Sequence, residues 1–169
     1  MNPISKPNYF MSLAFLSARR SKDPSTQVGA CIANPKGRVV GMGYNGFVNG
    51  CKTDFSWERE GDGWADTKYP FVVHAEINAV LNATGPTEGS TIYCTLYPCN
   101  ICAQVIVQAG IKEVVYFSDK YHDADFTKQA RLIFRKAGIG TRDYNSLAPI
   151  INIEFSTGVD LTAIRPQER

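Results

Sequence analysis

His74-x-Glu76, followed by Pro98-Cys99-x-x-Cys102, constrains this chain more than any other feature. One imidazole and two thiols suit a tetrahedral zinc ion whose fourth position is left for water. Any fold that serves this set must bring residue 74 and residues 99–102 to one point. His74 opens the apolar-periodic run Ala75–Leu81, which reads as a helix. Cys99 and Cys102 open a second run, Ala103–Ala109, and Pro98 ahead of them fits its first turn. Residues three apart share a helix face, so both sulfurs can reach one ion. Helix N-termini also favour thiolates, which helps a metal displace their protons. The expectation is two helix starts facing each other across a metal, with Glu76 as the nearby carboxylate that handles protons.

Two other uses of these residues compete. Cys-x-x-Cys can be a redox pair. A closed structural zinc site would recruit a fourth ligand, with His122 or Cys51 available. Neither gives Glu76 a role, and the open, catalytic site accounts for all four residues.

A length of 169 residues supports one domain spanning 1–169 with a real core. The net charge of +2 and the absence of a massed basic run argue against a polynucleotide groove. Of five cysteines, Cys31 and Cys94 fall in predicted strands and read as small buried apolar residues. No apolar span reaches membrane length and no signal-peptide core opens the chain. These features lead to an expectation of a reduced compartment, the cytoplasm or nucleus, or the cytoplasm of an infected host cell for a viral source.

Along the chain, helical spacing covers 8–19 with Asn8 as a candidate N-cap. Strands at 28–33 and 38–44 flank Asn34-Pro35-Lys36-Gly37 as an antiparallel hairpin. Asn45-Gly46 reads as a tight turn from the dipeptide alone. Residues 47–70 have no period, and so long a loop in a compact domain is usually functional or mobile. Strands at 91–96 and 112–117, a helix over 126–137 stopped by Gly138, and a last strand at 149–155 follow. The tail from Thr157 reads as loosely ordered. This alternation predicts an α/β fold, a three-layer α/β/α sandwich about a five-stranded mixed sheet with a right-handed crossover. The pocket is expected at the strand ends near Asn45, Thr95 and Ser118.

With these segments in place the chain resembles the deoxycytidylate (dCMP) deaminase family within the zinc deaminases of cytidine and deoxycytidylate. The resemblance spans roughly Tyr9 to Gly138. It is carried by Tyr9-Phe10-Met11, Arg20-Ser21-Lys22-Asp23-Pro24, Gln27-Val28-Gly29-Ala30, Gly43-Tyr44-Asn45-Gly46, the two metal segments, and Ser118-Asp119-Lys120-Tyr121-His122-Asp123. It implies hydrolysis of dCMP to dUMP and ammonia, supplying dUMP for thymidylate synthesis. It further implies a homohexamer activated by dCTP with Mg2+ and inhibited by dTTP. Zinc would lower the pKa of its water toward about 7, and Glu76 would pass protons to ring nitrogen N3 and to the departing amino group. The resemblance places Asn45 on the sugar hydroxyl, the backbone near Ala75 on the base carbonyl and Thr95 beside the base. Tyr121 is a candidate to pack over the nucleotide, with partly buried core as its plainer reading. A phosphate wants cationic or N–H donors, and Lys22, Lys120 and Ser25 are candidates, against the plainer reading that each lysine is solvated. Val48 stands where related sequences usually have proline, which leaves that loop without a fixed φ. Gly46 and Asn49 in the same loop are candidates for effector contacts, and a bifunctional enzyme that also takes dCTP is the alternative this departure raises. A polynucleotide cytosine deaminase and a silent zinc-bearing interaction module are the readings from other classes; low net charge opposes the first and Glu76 the second.

Overall fold

A computed structural model describes residues 3–51 and 54–144, together with the backbone of Glu154–Phe155 and Val159–Asp160. Helix α1 (Lys6–Ala18) starts two residues earlier than its spacing predicts. Ser5 caps it by accepting the Asn8 N–H at 3.3 Å, and Pro7 sits in the first turn, where no N–H is needed. Asn8 is therefore inside the helix, and its side-chain oxygen accepts the Tyr144 hydroxyl at 2.8 Å.

Strands β1 (Gly29–Ala33) and β2 (Val39–Tyr44) form the expected antiparallel hairpin. Its turn is held by the Asn34 carboxamide oxygen, which accepts the N–H groups of Lys36 and Arg38 at 3.0 Å each. Asn45-Gly46 is not a tight turn. Asn45 is buried, and Gly46 begins a short strand β3 (Gly46–Phe47) that pairs antiparallel with β4 (Val72–Val73). That pairing closes the loop 48–71 at its base. Phe47 stacks on Trp57 at 3.9 Å and Phe55 on Phe71 at 3.8 Å, so the loop has an aromatic filling of its own. A 3-10 turn, Trp64–Asp66, lies within it.

Helix α2 (Ala75–Leu81), strand β5 (Thr91–Leu96), helix α3 (Asn100–Gln108), strand β6 (Glu113–Ser118) and helix α4 (Asp125–Ala137) complete the alternation. Pro98 lies just ahead of α3, whose N-cap is Cys99, so the proline sits outside the first turn. The fifth sheet strand is β7 (Gly140–Asp143), parallel to β6, where the sequence placed it at 149–155. Gly138, at φ +68°, reverses the chain after α4, and Gly140 then pairs at once with Glu113. The strand is polar and exposed, so it offers no apolar alternation to read. Of the expected strand, residues 149–153 lie outside the described residues. Glu154–Phe155 (β8) pairs with Val159–Asp160 (β9) in a separate antiparallel ladder. The expected looseness of the tail also falls outside the described residues, apart from that ladder.

The sheet order is β2-β1-β5-β6-β7, antiparallel across β2, β1 and β5 and parallel from β5 to β7. Alternate residues serve opposite faces. Ala30, Ile32, Ile92, Cys94 and Val114 pack with Ala75, Ala79, Ile106 and Phe134 from α2, α3 and α4. Cys31, Ala33, Tyr93 and Val115 pack with Phe10, Met11 and Ala14 from α1. This is the three-layer α/β/α arrangement that the alternation predicts. Both strand cysteines are buried, and burial pushes the Cys31 thiol up to about 12. No helix among the described residues is long and apolar enough to cross a membrane.

Two glycines of β2 set the position of α2. A methyl group built on Gly43 would overlap the Ala75 carbonyl oxygen and the Ala79 nitrogen, and one on Gly41 would overlap the Ala79 carbonyl oxygen. The helix backbone therefore rests directly on the strand backbone. Because the obstacle is backbone, no rotamer change relieves it. Gly43→Ala is expected to cost about 1–3 kcal/mol, read as a lower urea midpoint at fixed protein concentration.

Candidate metal and nucleotide site

The chain delivers its two metal segments in the same way. β4 leads directly into His74, the N-cap of α2, and β5 leads through Tyr97 and Pro98 to Cys99, the N-cap of α3. The imidazole Nδ1 lies 3.4 Å from the Cys99 sulfur and 3.3 Å from the Cys102 sulfur. All three donor atoms lie within 4.8 Å of one another. Nitrogen and sulfur donors around one tetrahedral zinc ion, at bond lengths of about 2.0 and 2.3 Å, would stand ~3.5 Å apart. The residues fit such an ion. Neither Cys51 nor His122 joins them among the described residues, so the donor set leaves a fourth position open.

The proton balance of these groups suits metal binding. Cys99 is drawn down to about 4, chiefly by its hydrogen bond with Cys102. The same contact, together with burial, pushes Cys102 up. His74 is held up at about 9, first by its hydrogen bond with Cys99. The Cys99 thiol and the His74 imidazole shift each other's proton affinity through this contact, and a bound dication would displace the protons they share. Glu76 is buried at 4 % exposure in the first turn of α2, within reach of the Cys102 thiol. Burial raises its carboxyl above the ordinary carboxylate range, the direction a proton carrier near neutrality needs.

Beside these ligands opens a cavity of about 560 Å³. Asn45, Ala75, Glu76 and Tyr121 line it, as do Leu96 and Tyr97 at the end of β5. Thr95 and Ser118 are not among the lining residues. The Thr95 hydroxyl accepts the Gly29 N–H at 3.0 Å, and the Ser118 carbonyl accepts the Tyr97 N–H at 2.8 Å. Lys22, Ser25 and Lys120 are exposed and also stand outside the lining, with the Lys120 ammonium 5.0 Å from the Tyr121 ring centre. Gly46 lies in the β3–β4 ladder and Asn49 is exposed in the loop beyond it. The exposed His122 pairs with the exposed Asp123.

A buried polar cluster on the cavity wall escaped the sequence reading. The Asp23 carboxylate accepts four donors: the Ser25 N–H at 2.8 Å, the Thr26 N–H at 3.1 Å, the Asn45 amide at 3.2 Å and the Lys68 ammonium at 2.6 Å. Asn45 in turn donates to the Thr26 carbonyl and accepts the Val28 N–H. Asp23 and Lys68 are both nearly water-free, at 2 % and 8 % side-chain exposure. A lysine in a stretch without a period gives no sign of burial. The one available signal was Asp23 beside Pro24, an Asx-turn composition.

Over residues 4–118 the chain matches the family described as the cytidine and deoxycytidylate deaminase zinc-binding region. The chain belongs to that family. It is 50 % identical over 163 residues to the deoxycytidylate deaminase of Mus musculus, covering 95 % of this chain and 92 % of the mouse protein. It is 51 % identical over 153 residues to the Homo sapiens deoxycytidylate deaminase, covering 89 % and 86 %. Among solved structures, the dCMP deaminase of cyanophage S-TIM5 in complex with dCMP and dUMP aligns with a TM-score of 0.66 at 26 % identity, covering 85 % of this chain and 98 % of that one. The family's zinc-binding region therefore includes both helix starts described above.

Asp23→Asn tests the new cluster. It removes the counter-charge and leaves a buried ammonium, at an expected cost of about 3–5 kcal/mol, measured by urea unfolding against the parent chain.

Proposed function

We propose that this chain is a zinc-dependent enzyme that hydrolyses dCMP to dUMP and ammonia. The observation that carries the reading is the buried Glu76 carboxyl beside three converging donors, with one cavity wall formed by Glu76, His74 and Cys99. The two mammalian relatives named deoxycytidylate deaminase, similar along almost their whole length, support the substrate. The dCMP and dUMP held by the cyanophage relative support both substrate and product.

His74, Cys99 and Cys102 would hold the zinc ion, which supplies Lewis-acid activation of water near neutral pH. Glu76 takes a proton from the attacking water and gives it to ring N3, which makes C4 more electrophilic. Once the water oxygen is bonded to C4, the same carboxyl takes the remaining proton from that C4 hydroxyl and delivers it to the amine. The C4–N bond then breaks, ammonia leaves and C4 becomes the carbonyl of dUMP. The N–H at Ala75 is assigned to the base carbonyl, Asn45 to the sugar hydroxyl and Tyr121 to the face of the nucleotide. Thr95 acts from behind the wall, through its bond to Gly29. Regulation by dCTP with Mg2+ and by dTTP through the Gly46–Asn49 segment belongs to the same proposal, as do a homohexamer and a cytoplasmic setting.

Glu76→Gln keeps the shape and removes the proton carrier. Zinc content by atomic absorption is expected to stay at the parent level, while kcat for ammonia release from dCMP falls about a hundredfold to ten-thousandfold. Full turnover in this variant would remove the carboxyl from the mechanism. A panel of dCMP, dCTP, deoxycytidine and CMP decides the substrate in the same assay, and preferred turnover of dCTP would replace the monophosphate reading.

A further inference from the structure

The cavity wall presents two cations, Lys68 and Arg59, and they are not equivalent. The Lys68 charge is already compensated by Asp23 at 2.6 Å. Arg59 enters no ion pair among the described residues. Its Nε–H donates to the Tyr69 hydroxyl at 3.1 Å, which fixes the guanidinium plane while its terminal nitrogens have no hydrogen bond to a described residue.

An exposed arginine is ordinarily a solvated one. Here the surrounding loop is built to hold it. The Lys68 N–H donates to the Glu58 carbonyl at 2.9 Å, which draws Arg59 alongside Tyr69. The Tyr69 ring stacks against Trp64 at 5.6 Å and 15°. Trp64 stands on a 3-10 turn closed by Asp66, whose carboxylate accepts the Gly63 N–H at 2.8 Å. Arg59, Trp64 and Tyr69 line the same cavity as His74 and Cys99.

We infer that Arg59 binds the 5′-phosphate of the nucleotide and thereby sets the preference for a nucleoside monophosphate over the free nucleoside. The identity of the ligand rests on the proposed function. The phosphate monoester carries about −1.5 to −2 charge at neutral pH. A guanidinium held by its Nε alone offers a two-pronged face to such an oxyanion. Lys68 cannot substitute, because moving to the phosphate would abandon a buried carboxylate.

The test is equilibrium binding of dUMP and of deoxyuridine to the zinc-loaded parent, Arg59→Ala and Arg59→Lys, with ammonia release from dCMP measured on the parent. Unchanged melting temperature and zinc content show that the exposed side chain is not holding the fold. Arg59→Ala is expected to weaken dUMP about ten- to a hundredfold with deoxyuridine unaffected, and Arg59→Lys to recover part of the loss. Equal dUMP affinity in parent and Arg59→Ala overturns the inference, as does an equal loss for dUMP and deoxyuridine, or a parent that does not bind dUMP. A parent that binds dUMP through Arg59 yet releases no ammonia from dCMP leaves the inference standing and sinks the proposed function instead.

Discussion

Everything in this molecule depends on two helix N-caps held face to face. His74 caps α2 and Cys99 caps α3, and their donor atoms meet at 3.4 Å. A cap residue has extended backbone, so its side chain projects beyond the helix end and not along its flank. The free N–H groups of each first turn favour negative charge at the same point. Thiolates, a carboxylate and a polar substrate edge are therefore all welcome there. The sheet makes the meeting possible: α2 lies flat on β2 through two glycines, and α3 follows directly from β5.

Burial and charge are distributed around that point with a clear division. On the metal side, Cys102 and Glu76 lose water, and both bind a proton more tightly than they would in solution, Cys102 chiefly through its contact with Cys99 and Glu76 through burial. Across the cavity, Asp23 and Lys68 lose water as a pair, each satisfying the other at 2.6 Å. Asn45 belongs to both regions. Its amide is bound by Asp23, Thr26 and Val28, and its side chain faces the cavity. A carboxamide fixed from three directions can present only one orientation to a ligand, which is preorganisation in the sense that matters for binding.

The metal segments were legible because their signal is local. Cys99 and Cys102 are three apart, and His74 and Glu76 two apart, each at the start of an apolar run. The alternating core faces were legible for the same reason, with Ala30 and Ile32 opposite Cys31 and Ala33. Three kinds of information were not. The β7 strand is polar and exposed, so only its pairing with β6 defines it. The cap of α1 went to Ser5 because Pro7 fits a first turn and Asn8 found a partner in Tyr144, far along the chain. Asp23 and Lys68 are 45 residues apart, and nothing at either position announces the other. Candidate phosphate ligands chosen by residue type alone fell outside the cavity, since exposure and direction follow from tertiary placement.

The two-rung ladder of Gly46 with Val73 and Phe47 with Val72 has a consequence for how such a protein can diversify. It clamps the neck of a long excursion, so the excursion's length is decoupled from the position of the residue that follows it, His74. Closing a longer flexible segment costs only about 0.6 kcal/mol per doubling, and that cost falls outside the reaction centre. The loop can therefore change in length without moving the cap residue that follows its anchored base.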